Sequence, residues 1–326
     1  MSAADADQGS IAAAVLAALE GNQLELPTLP DMALKIRDLI DDPNVSAERI
    51  VHLLSADPVI SGQIIKAANS AAYSSGNPVG NLQGAISRLG YRMLRSMVMS
   101  ITMTRLFEAG SPRISQQLKK LWEHSREVAA NSYVLARQQA HLNPEQAMLA
   151  GLVHDIGALP LYIYAERHDA HLDEATLGRL IRKFAAPVGT RLLQSWNFPQ
   201  DLVEVVSGHE NLQRANDSGI ADYVDVVTVA NMQMQGTAKF VAWENVSAAA
   251  RLGFSPADCR NFLSSHADQL AAVKGMLGVD AAPPAKPAAP AAAPKAAQPP
   301  ARQPAQQNGP GLLSGLAGLF KWRNPK

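Results

Sequence analysis

The stretch DDPNVSAERIVHLLSADPVISGQIIKAAN, residues 41–69, reads as one helix stop followed by two helix starts. Asp41-Asp42-Pro43 ends a preceding helix whose apolar stripe is Ile36, Leu39 and Ile40. Ser46 stands where an N-cap belongs, ahead of the stripe Ile50, Leu53 and Leu54, because a serine oxygen accepts one of the N–H groups that a first helical turn leaves unpaired. Asp57-Pro58 repeats the signal, a capping carboxylate before a proline that loses nothing at the first helical position. This last helix is expected to reach about Ala72.

Working outward, stripes with a period of about 3.6 residues recur along the chain, while period-2 alternation and hairpin signals do not. The expected fold class is therefore all-α. Ser10 caps a short N-terminal helix closed by Gly21, SSGNPVGNLQG (74–84) is a loop, and Ala85–Leu89 forms a short helix ended by Gly90. Tyr91–Phe107 is a long helix, apolar around most of its circumference and so expected at the centre of the fold. After a break at EAGSPR (108–113) a second helical set is expected at about 114–140, 144–156, 173–183, 187–197, 199–208 and 221–235, with two more helices between 245 and 277. No fixed-period repeat marks a solenoid.

The segment 281–310 is dominated by proline and alanine, cannot bury a core, and is expected to be a disordered, partly polyproline-II linker reaching up to about 90 Å. It leads to GLLSGLAGLFKWRNPK (311–326), whose Leu312, Leu313, Leu316, Leu319 and Phe320 share one helical face ahead of Lys321, Trp322, Arg323 and Lys326. Such an amphipathic tail suits docking to a partner protein or to a membrane surface.

Among the 326 residues, 29 lysines and arginines balance 29 aspartates and glutamates, so no overall field draws the protein to nucleic acid or an anionic membrane. The single cysteine, Cys259, excludes an internal disulfide framework and reads as a half-buried small hydrophobe. The N-terminal apolar run lacks the basic leader of an export signal, and no uninterrupted apolar run reaches the roughly 18 residues that span a bilayer. A cytoplasmic location is expected.

GLVHDIGALP (151–160) places His154 and Asp155 side by side in an apolar segment. A metal centre built from helices needs imidazole nitrogens and carboxylate oxygens converging from several segments, with one position left open for water. Neighbouring residues diverge by about 100° on a helix, so the backbone is expected to loosen here, with Gly157 supplying the freedom. His124 in LWEHSREVAANS is a third candidate ligand and His209 in VVSGHEN a fourth. The bland alternative is a hydrogen-bonded His154-Asp155 pair that fixes a helix end.

HDIG with a histidine about thirty residues upstream resembles the HD superfamily of metal-dependent phosphohydrolases. The segments LPTLPDMALKIRDLIDDPNVSAERIVHLLSADPVISGQIIKAANSAAY, AISRLGYRMLRSMVM, GLVHDIG and VGTRLLQSWNFPQDLVEVVSGHE narrow the resemblance to the HDOD domain of bacterial signalling proteins, over roughly residues 20–235. It implies a two-lobed helical domain over 22–240, with an N-terminal lobe at about 22–110 and an HD-like lobe at about 111–240. Around it lie an N-terminal helix (1–21), a helical extension (241–280), the linker and the tail.

The departures from the catalytic pattern matter as much. Active HD enzymes carry a final aspartate ligand on a late helix, where VVTVANMQ offers Asn231; two-metal relatives carry a further histidine, where KFAAPVG offers Ala185. The resemblance thus gives His124, His154, Asp155 and Asn231 as metal candidates, for at most one divalent ion (Mn, Fe, Mg or Zn), and no catalytic residues. It implies non-catalytic signal transduction through contacts with signalling or regulatory proteins; nucleic acid is not expected among the partners, given the balanced charge. The alternative is a metal-dependent phosphohydrolase or cyclic-nucleotide phosphodiesterase, and a third reading is a membrane-surface adaptor using the tail.

Other chemistries find little support. Gly76, Gly80 and Gly84 lack the Gly-Lys-Ser/Thr of a phosphate loop, and no nucleophile elbow is present. Arg88, Arg92, Arg95 and Arg105 are expected to flank a core helix with their heads in water. Asn69 and Ser70 are expected to pin a turn through side-chain to backbone hydrogen bonds.

Overall fold

A computed structural model describes residues 24–70, 72–73, 76–107, 111–167, 173–234 and 241–279, together with Ala17. The N-terminal helix apart from Ala17, the linker and the tail lie outside the described residues. Among those described there is no strand, and the fold is all-α in two lobes.

The first lobe holds α1 (Asp31–Ile40), α2 (Ala47–Ser55), α3 (Pro58–Ala68) and α4 (Leu82–Met103). Ser46 and Asp57 act as read: the Asp57 carboxylate accepts from the Val59 and Ile60 N–H groups at 2.9 and 3.1 Å. The buried stripes are Ala33 and Ile36, Ile50 and Leu54, and Ile60, Ile64, Ala67 and Ala68. All three helices pack on α4, which buries Met93, Leu94, Met97, Val98 and Met99 and continues as a 3-10 turn over Thr104–Phe107.

Helix α3 stops at Ala68, four residues short of expectation, because Asn69 takes over. Its amide brackets Val79, donating to the carbonyl at 2.8 Å and accepting from the N–H at 2.7 Å. Ser70 does not share this role, since its buried hydroxyl has no partner. Arg88 does not reach for water either: it donates to the carbonyls of Ala68 and Asn77, pinning the same loop. Arg95 and Arg105 pair with Asp41 and Asp57, while Arg92 is exposed. At Gly90 the backbone adopts φ 75°, ψ 162°, so the expected break between two helical pieces is present within α4.

The second lobe and the helices that follow it run through α5 (Pro112–Ala136), α6 (Pro144–Val153), α7 (Ala158–Arg167), α8 (Glu174–Ser195), α9 (Gln200–Gly208), α10 (Tyr223–Met234), α11 (Ser247–Arg251), α12 (Pro256–Ser265) and α13 (Ala267–Leu277). Helix α7 was not anticipated. The segments expected as separate helices at 173–183 and 187–197 are one helix, α8, whose buried Leu180, Phe184, Val188 and Leu192 keep step across Pro187. Three helices, not two, occupy 245–277. Helices α5 and α6 meet at backbone distance, since a Cβ on Gly151 would lie 2.6 Å from the Ala129 Cα. The segment 144–167 is apolar and long enough for a membrane span, but 78% of its apolar window is buried within the fold.

Polar side chains bind the late helices to α5. Asn131 donates to the Ala230 carbonyl and to Gln233, and Gln233 donates to the Cys259 carbonyl. Arg126 donates to the carbonyls of Leu277 and Gly278 at 3.2 and 2.6 Å, closing the end of α13. Asp225, 1% exposed, is gripped by both nitrogens of the Arg251 fork and by Arg214. Burial works to raise its carboxyl pKa, but the two guanidinium groups outweigh burial and hold it below the ordinary range. Cys259 is fully buried rather than half-buried, which pushes its thiol up to about 11.

Candidate metal centre

Two helix ends supply the imidazoles. His154 caps α6 and its Nδ1 lies 2.8 Å from the Gly151 carbonyl; His209 caps α9 with its Nδ1 3.0 Å from the Val205 carbonyl. A carbonyl only accepts, so Nδ1 carries the proton in both rings, and in the neutral ring Nε2 presents a lone pair. Both Nε2 atoms are buried and make no hydrogen bond.

Both face one carboxylate. His154 Nε2 is 3.1 Å from Asp155 Oδ2, His209 Nε2 is 3.3 Å from Oδ1, and His124 Nε2 from α5 is 3.8 Å from Oδ2. The Asn231 side chain of α10 lies beside His124, and its buried Oδ1 also lacks a hydrogen-bond partner. Lone pairs thus converge on a small volume, an arrangement that is costly unless a cation or a proton sits among them.

Protons compete with a cation for the same atoms. Burial pulls His124 down to about 4, reinforced by His154, so its ring is neutral near pH 7. Burial works against the Asp155 carboxylate, yet His154 and His209 outweigh it and hold the group well below the usual range. Burial would lower His209, but Asp155 reverses the shift.

The donors fit a single ion. Ligand atoms at about 2.1 Å from a metal, at angles between square and tetrahedral, are about 3.0–3.4 Å apart, close to the separations between Asp155 and the imidazoles. Imidazoles, a carboxylate and an amide oxygen suit Mn, Fe or Zn better than an all-oxygen cation site would. His124 and Asp155 remain 29% and 27% exposed, so one side opens to solvent.

The structure therefore brings His124, His154 and Asp155 together and sets Asn231 at their edge. It also places His209 against Asp155, where the sequence left it as a fourth candidate. Glu210 was not anticipated: its carboxylate comes within 4.8 Å of the ligand atoms of Asp155 and His209. Only its adjacency to His209 could have pointed to it.

Gly157 serves a purpose other than the expected one. A Cβ there would lie 1.9 Å from the Ala185 carbonyl oxygen and 2.6 Å from the Gly189 nitrogen, so this glycine lets α8 lie flush on the His154-Asp155 turn. The turn itself is built from tight hydrogen bonds, Ile156 to Val153, Ala158 to Asp155 and Leu159 to Ile156.

Comparison with known proteins agrees with the helical fold. The family model described as HDOD domain matches residues 26–212. A crystal structure from Shewanella amazonensis SB2B, of a protein provisionally named a metal-dependent phosphohydrolase, is 29% identical with a TM-score of 0.72, over 83% of this chain and 99% of that one. An HDOD domain protein of unknown function from Geobacter sulfurreducens shares the fold at 22% identity, with a TM-score of 0.57 over 77% and 93% of the two chains. An uncharacterized protein of Treponema pallidum is 24% identical over 229 residues, 65% of this chain, and the match spans 42% of that relative's length. With the matched segment covering more than half of its length, the chain belongs to the HDOD domain family.

Proposed function

We propose that the protein is a regulatory component of bacterial signal transduction, cytoplasmic, which acts by binding other signalling proteins. In this reading one divalent ion at His124, His154, Asp155 and Asn231 belongs to the folded state rather than to a hydrolytic reaction. The observation that carries the reading is the buried, unpaired Nε2 of His154 facing Asp155 at 3.1 Å, with Asn231 Oδ1 unpaired nearby. When bound, the ion supplies positive charge that joins α5, the 154–155 turn and α10. Asn231 gives it an oxygen without a negative charge, and Ala185 gives it nothing, so the ligand set of a hydrolytic centre is incomplete. The tail 311–326 is the proposed docking element, held near the core by the linker 281–310 at raised local concentration. Nucleic acid is not a proposed partner, given the balanced charge.

The second reading is a metal-dependent phosphohydrolase or cyclic-nucleotide phosphodiesterase. It is favoured by the solvent-facing side of the cluster, where Asp155 and His124 keep partial exposure. One experiment separates the two: metal content by elemental mass spectrometry, with nucleotide and phosphodiester turnover measured on the same preparation, wild type beside Asp155→Ala. Near-stoichiometric metal without turnover supports the regulatory reading. Turnover lost in Asp155→Ala replaces it with the hydrolase, and absence of metal from the wild type refutes the cation site.

A further inference from the structure

We propose that a cleft where α5, α13 and the first-lobe loop meet binds a small zwitterion, its carboxylate held by Arg137 and a tyrosine hydroxyl and its ammonium group by Asp268. The cleft has a volume of about 320 Å³, at the lower end of the range of about 300–1,000 Å³ typical of small-molecule sites. Tyr133 and Arg137 line it from the end of α5, and Asp268 and Ala272 from the start of α13. Residues four apart share one helical face, so each helix turns a matched pair toward the cleft. Ala72 closes the side toward the first lobe.

Arg137 and Asp268 line the same space with exposed side chains, yet they form no ion pair with each other. Unlike charges that share a cleft and stay apart suit a ligand carrying both signs, since each then gains a charge-assisted hydrogen bond. The tyrosines are the independent sign of a polar ligand. The Tyr73 and Tyr133 hydroxyls lie 3.0 Å apart, and one proton makes that bond. The second O–H has no acceptor among the described residues, although Tyr133 is only 8% exposed. Burial pushes the Tyr73 hydroxyl pKa up, reinforced by Tyr133, while the Arg137 charge works against the rise, so the guanidinium acts on the hydroxyl side of the cleft. The spare hydrogen and Arg137 together make a carboxylate seat.

The rest of the wall is apolar, with Val134 and Val273 buried behind it. The ligand class that fits is therefore an α-amino acid with an aliphatic side chain. Helix α13 lies beyond the matched segment 26–212 and packs on α3 and α4 as well as on α5, so a ligand here fastens the helical extension to both lobes. In the regulatory reading it is an upstream signal; the binding itself does not rest on that reading.

The test uses the full chain, titrated by calorimetry with millimolar leucine, isoleucine, valine and methionine. At least one should bind at one equivalent and raise the thermal melt. Its primary amide, which lacks the carboxylate, and its N-acetyl form, which lacks the ammonium group, should each bind at least tenfold more weakly. Arg137→Gln and Asp268→Asn should each weaken the amino acid at least tenfold, with unliganded melts matching the wild type because both side chains are exposed. No binding by any of the four, or unchanged affinity in either variant, would overturn the site. Equal binding of the amide or the N-acetyl form would overturn the zwitterion. None of these outcomes bears on the metal centre, whose test reads metal content and turnover.

Discussion

Replacing Gly157 with alanine tests whether α8 rests on the metal-site turn. The new Cβ would meet the Ala185 oxygen at 1.9 Å and the Gly189 nitrogen at 2.6 Å, both backbone atoms that no side-chain rotation can clear. An ordinary carbon–oxygen contact is about 3.3 Å, so helix and turn must separate by about 1.4 Å. Overpacking that small side chains cannot absorb costs about 1–3 kcal/mol, and a rigid backbone contact belongs at the upper end. At about 2–4 °C per kcal/mol for a domain of this size, about 3 kcal/mol lowers the melting temperature by about 6–12 °C. Gly62→Ala is the control: it lies within α3 with nothing inside 4 Å of its would-be Cβ, so the substitution should stabilise by about 0.5–1 kcal/mol. Thermal and urea unfolding of both variants decide the matter. A Gly157→Ala protein with wild-type melting temperature and urea midpoint would refute the close approach and restore conformational freedom as the reason for this glycine.

Asp225→Asn should destabilise by about 3–5 kcal/mol, since it leaves the partly buried Arg251 guanidinium without its ion-pair partner, while Arg214 keeps Asp222. The Asp225 pKa is lower in the fold than in the unfolded chain, where aspartate titrates near about 3.9. Its contribution is therefore complete above that unfolded value and lost as pH falls toward the depressed one; acid unfolding curves should show this step in the wild type and not in the variant. Gly90→Ala forces a side chain into φ 75°, ψ 162° and should cost about 1–3 kcal/mol, read by urea denaturation, with no change in metal content. Saturating Mn²⁺ at about a hundred times its dissociation constant should add about 2.7 kcal/mol, a rise of about 5–11 °C in the melt that disappears in His154→Ala. Deleting residues 311–326 should weaken binding to an identified partner while leaving the core melt unchanged; equal affinity would remove the tail from the proposal.

Helix starts were legible in the sequence at Ser46 and Asp57, where a side chain closes its own cap, and so was the φ-dependent break at Gly90; the cap at Asn81, which starts α4 inside the segment read as a loop, was not. The misses share a different cause. Helix α7 carries LPLYIYAER, where proline, isoleucine and tyrosines argue against a helix locally, but Pro160 falls in the first turn and α8 covers the apolar face. Pro187 looked like a terminator, although the stripe Leu180, Phe184, Val188, Leu192 ran through it unbroken. At the site, His124, His154 and Asp155 could be read as donors from residue type and spacing. That His209 belongs with them depends on how α9 ends against the turn, and that Gly157 is a spacer depends on α8. Neither is encoded within reach of a local pattern.

The grip of Arg126 on the carbonyls of Leu277 and Gly278 spans 151 and 152 residues of chain, and it bears on how the protein is made. At about 5–20 residues per second, translation takes about 8–30 s to travel from one partner to the other. Within the first lobe the loop that joins Asn69, Val79, Asn77 and Arg88 closes across separations of 10 to 20 residues, although Arg37 and the Pro27 carbonyl wait for Trp196, 159 and 169 residues further on. The ribosome therefore releases a chain whose front half can settle early, while α5 holds Arg126 and Asn131 in water until the last helices arrive. Anything that stalls synthesis beyond residue 212 but before 277 leaves the full family segment exposed to proteases with its second lobe unfinished.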